Sequence, residues 1–320
     1  MTGGPRSIRS CIASSGPPPV GVVIVARGSS DYAAIFGRYL LEAATGRPVA
    51  LAAASLQTLY GVEPRVDGWL AVGISQSGRT PEITTVLERY RRAGARTVAI
   101  TNDPESPLAS VALASIGLGA GEEAAVPATK TFTAQLAAVA LLAEALGPAP
   151  WDDRDWLRLP EVVEELLADP GPAERAAEEL GDVGELVAVG RGYLMCVALE
   201  AALKLREATG MRAEGWSAAD FRHGPVTVAR AHLPLLAISA SGPASADVED
   251  LAVELEGAGT PVLRLADRPD AALPYPPGLA EPLCALPAAV RGQQLALEVA
   301  RLRGLDPDEP PGLRKVTPTT

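Results

Sequence analysis

The segment WLAVGISQSGRTP, Trp69 to Pro81, decides the fold. Residues 69–75 form a run of strand length, apolar through Ile74, the pattern of a strand buried on both faces. It ends in a turn carrying four hydrogen-bonding side chains, Ser75, Gln76, Ser77 and Thr80, around Gly78. Pro81 then stands at the first position of a helix expected over about 81–93, where its missing N–H costs no hydrogen bond. The same order recurs on either side. VVIVA (22–26) runs into Arg27-Gly28-Ser29-Ser30, and a helical pattern follows to about Thr45, closed by Gly46 and Pro48. RTVAIT (96–101) leads into Asn102-Asp103-Pro104, and an Ala/Leu-rich helix over about 130–146 closes this half. Buried strands alternating with helices predict a doubly wound parallel α/β sheet.

Beyond a Pro-punctuated, charged stretch the pattern restarts. ELVAVGRG (185–192) echoes VVIVARG (22–28), further strands are expected at 234–239 and 261–265, and a closing helix at about 288–303. Two copies of one α/β unit are therefore expected. The predicted boundaries are an N-terminal extension at 1–19 that lacks ordering signals, a first unit at 20–150, a linker helix within 151–183, a second unit at 184–303 and a Pro-rich tail at 304–320.

The chain of 320 residues carries a formal charge of −11, with only 4% aromatic residues. Such a surface repels nucleic-acid backbones and anionic lipid, and it lacks base-stacking platforms, so neither nucleic acid nor membrane is an expected partner. Cys11, Cys196 and Cys284 form no CxxC pair, so no disulfide framework or metal site is expected. The start has no apolar core of signal-peptide type and no run approaches the ~18 residues of a membrane span, so a cytoplasmic protein is expected.

In a doubly wound sheet, ligands sit beyond the carboxyl ends of the strands. The turn at 75–80 lies there, and four donors feeding a helix N-terminus favour an anion cradle over a plain capped turn. Gly28-Ser29-Ser30 adds hydroxyls to the same edge, although it also reads as a simple helix cap. Neither a nucleotide-triphosphate loop nor G-x-G-x-x-G follows these strands. In the second half, LEAALKLRE (199–207) spaces Glu200, Lys204 and Glu207 at i, i+4 and i+7. Such pairs are ordinary on exposed helices, but the flanking MCVALEAAL is apolar, and charges on a buried helix must be paired or working. His223 stands before Gly224-Pro225, while His232 reads as a loop residue. A carboxylate and a histidine together can move a proton next to a carbonyl.

ARGSSDYA, SQSGRTPEI, VPATKTF, LEAALKLRE and FRHGP, in this order, resemble the double sugar-isomerase (SIS) domain chains over about residues 20–320. That family includes the isomerase half of glutamine–fructose-6-phosphate aminotransferase and stand-alone SIS-type glucosamine-6-phosphate deaminases. The resemblance implies two SIS lobes, each a flavodoxin-like doubly wound sheet flanked by helices, and a C-terminal active-site tail. By the same resemblance Ser30, Ser75, Gln76, Ser77 and Thr80 hold phosphate, Ser29 touches the sugar, and Glu123 and the Val126 backbone wall the pocket. Glu207 is then the base between C1 and C2, Lys204 lies beside it, Lys315 reaches the open-chain carbonyl, and His223 opens the ring of the neighbouring subunit in a homodimer. The expected substrate is a hexose or hexosamine 6-phosphate, with no cofactor or metal.

Three departures stand out: Ala128 replaces a serine, Asp220 a glutamate, and the N-terminal E-I-x-E-Q-P segment is missing. Arg27-Gly-Ser-Ser-Asp and Arg79 resemble the stand-alone deaminase group more than the synthase. No amidotransferase segment is seen, so a glutamine-dependent synthase is not expected. The expected reaction is isomerising deamination of glucosamine 6-phosphate to fructose 6-phosphate and ammonia. The alternatives are a fructosamine-6-phosphate deglycase, a plain aldose–ketose isomerase and a non-catalytic phosphosugar sensor.

Overall fold

The computed structural model describes residues 17–229 and 232–315. Cys11, most of the expected N-terminal extension and residues 316–320 of the expected tail lie outside the described residues. Two compact units are present. One comprises the described residues up to Glu123, Lys130–Ala149 and the last residues from Arg314; the other comprises Ala124–Thr129 and Pro150–Leu313.

The first unit runs β1 (Val22–Val25), α1 (Ser29–Thr45), β2 (Val49–Leu51), α2 (Ala54–Thr58), β3 (Leu70–Ile74), α3 (Pro81–Arg92), β4 (Arg96–Thr101), α4 (Pro107–Val111), β5 (Ala114–Gly117) and α5 (Lys130–Leu146). Its five parallel strands are ordered β2-β1-β3-β4-β5. Every residue of β1 and β3 is buried, as their unbroken apolar runs require. Val23, Val25, Ala71 and Ala99 pack with Ile83, Val86 and Leu87 of α3 on one face of the sheet. On the other, α1 packs against α5, where Gly37 lies close to Val139.

The second unit contains α6 (Asp153–Ala168), α7 (Gly171–Leu180), β6 (Glu185–Gly190), α8 (Met195–Thr209), β7 (Arg212–Ser217), α9 (Ala218–Arg222), β8 (Leu235–Ile238), α10 (Ser245–Gly257), β9 (Val262–Ala266), β10 (Leu273–Pro274) and α11 (Ala285–Leu302). Its sheet order, β10-β9-β8-β6-β7, is that of the first unit when each unit's strands are counted from its own start. Both are the 2-1-3-4-5 flavodoxin-like winding, so the two halves are copies of one topology.

The stretch at 151–183 forms two helices, and both pack on α11 within the second unit. Asp152 and Asp155 close a capping box at the start of α6. Helix α11 begins three residues before the sequence pattern places it, because a 3-10 turn at Glu281–Cys284 feeds it. Strands β5 and β7 escape the apolar pattern because they are edge strands. No residue of β5 is fully buried and only two of the six in β7 are, with Arg212 and Glu214 of β7 exposed.

Candidate active site

In the first unit the turn after β3 is built by its own carbonyls. The Gln76 carbonyl accepts from the Asn102 N–H (3.0 Å) and the Thr101 hydroxyl (3.3 Å), and the Gly78 carbonyl accepts from the Leu108 N–H (3.0 Å). Inside the turn, the Ser75 hydroxyl accepts from the Gly78 N–H (3.1 Å) and the Ser77 hydroxyl from the Arg79 N–H (3.2 Å). Gly78 has φ of 61°, and a Cβ there would collide with the buried Ser106 side chain, so only glycine fits.

With the carbonyls turned inward, the N–H groups of Gln76, Ser77 and Thr80 meet no acceptor among the described residues. Thr80 is the N-cap of α3, yet its hydroxyl makes no cap bond, and Pro81 follows it. Backbone donors and hydroxyls thus stand together at the positive end of a helix dipole, and Arg79 of the same turn is paired to Asp103 at 2.8 Å.

The β1–α1 turn stands beside it. Gly28 takes φ of 61° and α1 begins at Ser29, which is half-buried. The Ser30 hydroxyl is buried and accepts from Gln135 Nε2 of α5 (3.0 Å). Arg27 makes a bond the motif spacing does not reveal. Its guanidinium forks onto the buried Glu82 of α3, with Nε–Oε2 at 2.8 Å and an N–H donated to Oε1 at 2.9 Å. The pair ties the two turns together and neutralises a carboxylate that would otherwise oppose an anion. Burial raises the Asp31 carboxyl pKa, against the pull of Arg27.

Glu123 is buried, and its carboxylate accepts the Thr131 N–H (3.4 Å) and the Thr131 hydroxyl, which fastens the first turn of α5. Val126 donates its N–H to the Asp308 carbonyl (2.8 Å), so of its two backbone groups only the carbonyl faces no described partner.

In the second unit, α8 lies against β7. Gly215 permits this, since a Cβ there would come within 2.6 Å of the Leu199 Cα. Glu200 and Lys204 are 1% and 3% exposed, and Glu207 is 22% exposed. Lys204 Nζ lies 3.5 Å from Glu200 Oε1 and donates a tight bond to Glu207 Oε2. The sequence expectation that this helix is buried is met, and its lysine is held between two carboxylates. Cys196, one turn before Glu200, is fully buried, and burial followed by the Glu200 charge drives its thiol pKa up.

His223 follows α9 and is exposed. Its backbone N–H donates to the Asp220 carbonyl (3.1 Å), and no bond from its ring to a described residue is present. Lys315 is half-buried, closes the described chain and counts with the first unit. The geometry therefore assembles Ser75, Gln76, Ser77, Thr80 and Ser30 within one unit, and Glu200, Lys204 and Glu207 within the other. Among the described residues, no group of three or more His, Cys, Asp or Glu side chains could hold a metal ion. No helix among them is long and apolar enough to cross a membrane.

The SIS domain model matches residues 21–145 and 179–274. The chain is 33% identical over 302 residues to glutamine–fructose-6-phosphate aminotransferase (isomerizing) of Methanothermobacter thermautotrophicus, covering 92% of this chain and 51% of that protein. It is 33% identical over 311 residues to the enzyme of that name from Thermus thermophilus, with the same coverage. The chain thus spans about half the length of these curated relatives. Among solved structures, a protein of Silicibacter pomeroyi assigned as a phosphosugar isomerase superposes with a TM-score of 0.84 at 31% identity, over 95% of this chain and 91% of that one. The glucosamine-6-phosphate deaminase of Thermotoga maritima has the same fold, with a TM-score of 0.78 at 23% identity over 98% and 97% of the two chains. Matched over most of its length in sequence and in fold, this chain belongs to the SIS domain family of phosphosugar isomerase folds.

Proposed function

We propose that the protein catalyses the isomerising deamination of glucosamine 6-phosphate to fructose 6-phosphate and ammonia. The observation that carries a phosphosugar reading is the Ser75–Thr80 turn, whose free N–H groups and hydroxyls converge at the start of α3. A phosphate monoester suits neutral donors of this kind and leaves the sugar chain to the catalytic groups. Ser29 and Ser30 extend the cradle, and Glu123 and Val126 form the wall of the sugar pocket.

His223 opens the pyranose, which frees the C1 aldehyde. Its exposed, unpartnered ring supports a role in the site of a neighbouring subunit of a homodimer. Glu207 removes the proton on C2, made acidic by the adjacent aldehyde, and returns it to C1. The electron pair moves through the enol-type intermediate, so C1 becomes an alcohol carbon and C2 an imine. Water adds at C2 and ammonia leaves, giving the ketose. Oxidation at C2 balances reduction at C1, so the chemistry calls for no external oxidant or reductant. Lys204, fixed against Glu207, steadies the charge that develops on the sugar oxygen, and Lys315 reaches the open-chain carbonyl. Glu207 is the more exposed of the two carboxylates on Lys204, which favours it over Glu200 as the group that meets substrate.

Incubation with glucosamine 6-phosphate and measurement of ammonia and fructose 6-phosphate tests the reading. Stoichiometric release of both is expected. Ammonia-free interconversion of aldose and ketose phosphates would replace it with the plain isomerase, and cleavage of fructosamine 6-phosphate alone would replace it with the deglycase. Binding without turnover of any of these would leave a sensor.

A further inference from the structure

The duplicated topology places a second turn where the phosphate turn stands in the first unit. Strand β3 lies between β1 and β4, and β8 lies between β6 and β9. SQSG (75–78) follows the one and SASG (239–242) the other. The registers agree as well: Ser75 donates its N–H to the Ile100 carbonyl and Ser239 donates its N–H to the Leu265 carbonyl, both at 3.0 Å. Each turn leads into a helix, α3 or α10.

The donors of the two turns meet different fates. In the second turn the Ser239 hydroxyl donates to Glu249 Oε1 (2.7 Å), and the Ser241 N–H is shared by both oxygens of Asp267 (2.9 and 3.0 Å). The Glu281 carboxylate stands by the start of α10, where the Ala244 backbone pulls its pKa down. It also presses on the turn itself, since a Cβ on Gly242 would fall 2.5 Å from the Glu281 carboxyl carbon. By register, Asp267 stands where the first unit has the neutral Asn102. Of the carboxylates near the first turn, Glu82 is instead turned onto Arg27 and Asp103 onto Arg79.

We propose that Asp267 and Glu281 act as an internal anion that closes the second turn, so that each chain keeps one phosphate turn rather than two. The first turn is open because its neighbours are neutral or paired; its counterpart is filled by the chain's own oxygens. Burial and the neighbouring Asp267 both push the Glu281 carboxyl pKa up, the strain of two carboxylates held in one cradle. The inference rests on reading the first turn as the phosphate site.

The test is calorimetric titration of the full chain with inorganic phosphate in four forms: wild type, S75A/S77A, D267N/E281A, and all four substitutions together. One phosphate per chain is expected for the wild type, none for S75A/S77A, two for D267N/E281A and one for the quadruple variant. A folded quadruple variant that binds no phosphate overturns the inference, as does a wild type that binds two. If S75A/S77A still binds one and the quadruple variant two, the reading of the first turn fails while the closure of the second stands. If the double change unfolds the chain, E281A alone in the S75A/S77A background decides. A rise in Tm with phosphate, absent in sodium chloride of equal ionic strength, is then expected, and no such rise overturns the inference.

Discussion

Lys204 offers the sharpest test of how this molecule is built. Its ammonium group is 3% exposed and is answered by Glu200, 1% exposed, and by Glu207. Replacing it by methionine preserves the shape of the side chain and removes the charge. Glu200 then remains as a carboxylate with its cation gone, in a helix packed on β7 and α11. Breaking a buried ion pair from one side costs about 3–5 kcal/mol. At about 2–4 °C per kcal/mol, the midpoint of thermal unfolding should fall by roughly 6–20 °C. The double variant E200Q/K204M removes both charges and should recover most of that loss, because two neutral groups of similar volume avoid the desolvation cost. Differential scanning calorimetry of the three proteins at neutral pH reads both effects. If K204M melts with the wild type, or if E200Q/K204M melts no higher than K204M, Glu200 is not the buried charge that Lys204 compensates. Activity follows separately: neither variant should turn over substrate, since the group beside Glu207 is absent from both.

Three further outcomes follow from other parts of the structure. G78A should lose phosphosugar binding and about 1–3 kcal/mol of stability, read by titration and by urea unfolding, because it meets both a positive φ and the Ser106 side chain. Mixing inactive E207Q with inactive H223A under subunit exchange should restore about a quarter of the wild-type rate if each site of a dimer takes its histidine from the partner; no recovery would place His223 in its own chain's site. The Glu249 carboxyl pKa is held below its usual range by hydrogen bonds from Ser239 and Arg264 and by the charge of Arg268, which outweigh its burial. The folded chain therefore binds that proton more weakly than the unfolded chain. The stabilisation is present above the ordinary carboxylate pKa and is lost as pH falls through the depressed one. E249Q should accordingly be less stable than wild type near pH 7, and the gap should close on acidification; an unchanged gap at low pH refutes the assignment.

Much of the design is legible in the residues themselves. VVIV and LAVGI became fully buried parallel strands because an unbroken apolar run is satisfied in the middle of an α/β sheet covered on both faces. The turn at 75–80 was legible because glycine, hydroxyls and a proline at a helix start have few competing uses. The apolar neighbours of LEAALKLRE foretold a buried charge, since a helix so flanked has no solvent face to present. Three features were not legible. Arg27 and Glu82 are 55 positions apart, and no local rule joins them. The edge strands β5 and β7 carry no sequence mark, because neither is an unbroken buried run. The likeness of SASG to SQSG gained meaning only when the strand orders proved the same.

What the sequence by itself determined, then, is the inventory: buried strands, a donor-rich turn, and a charged triplet on an apolar helix. These are consequences of composition and spacing over a few residues. Which donors remain available was decided by the tertiary structure alone. Ser77 keeps its backbone N–H because no carboxylate is folded onto it, whereas Ser241 gives its own to Asp267, 26 residues away. A hydrogen-bond donor is a property of a residue, but its being free is a property of everything packed around it.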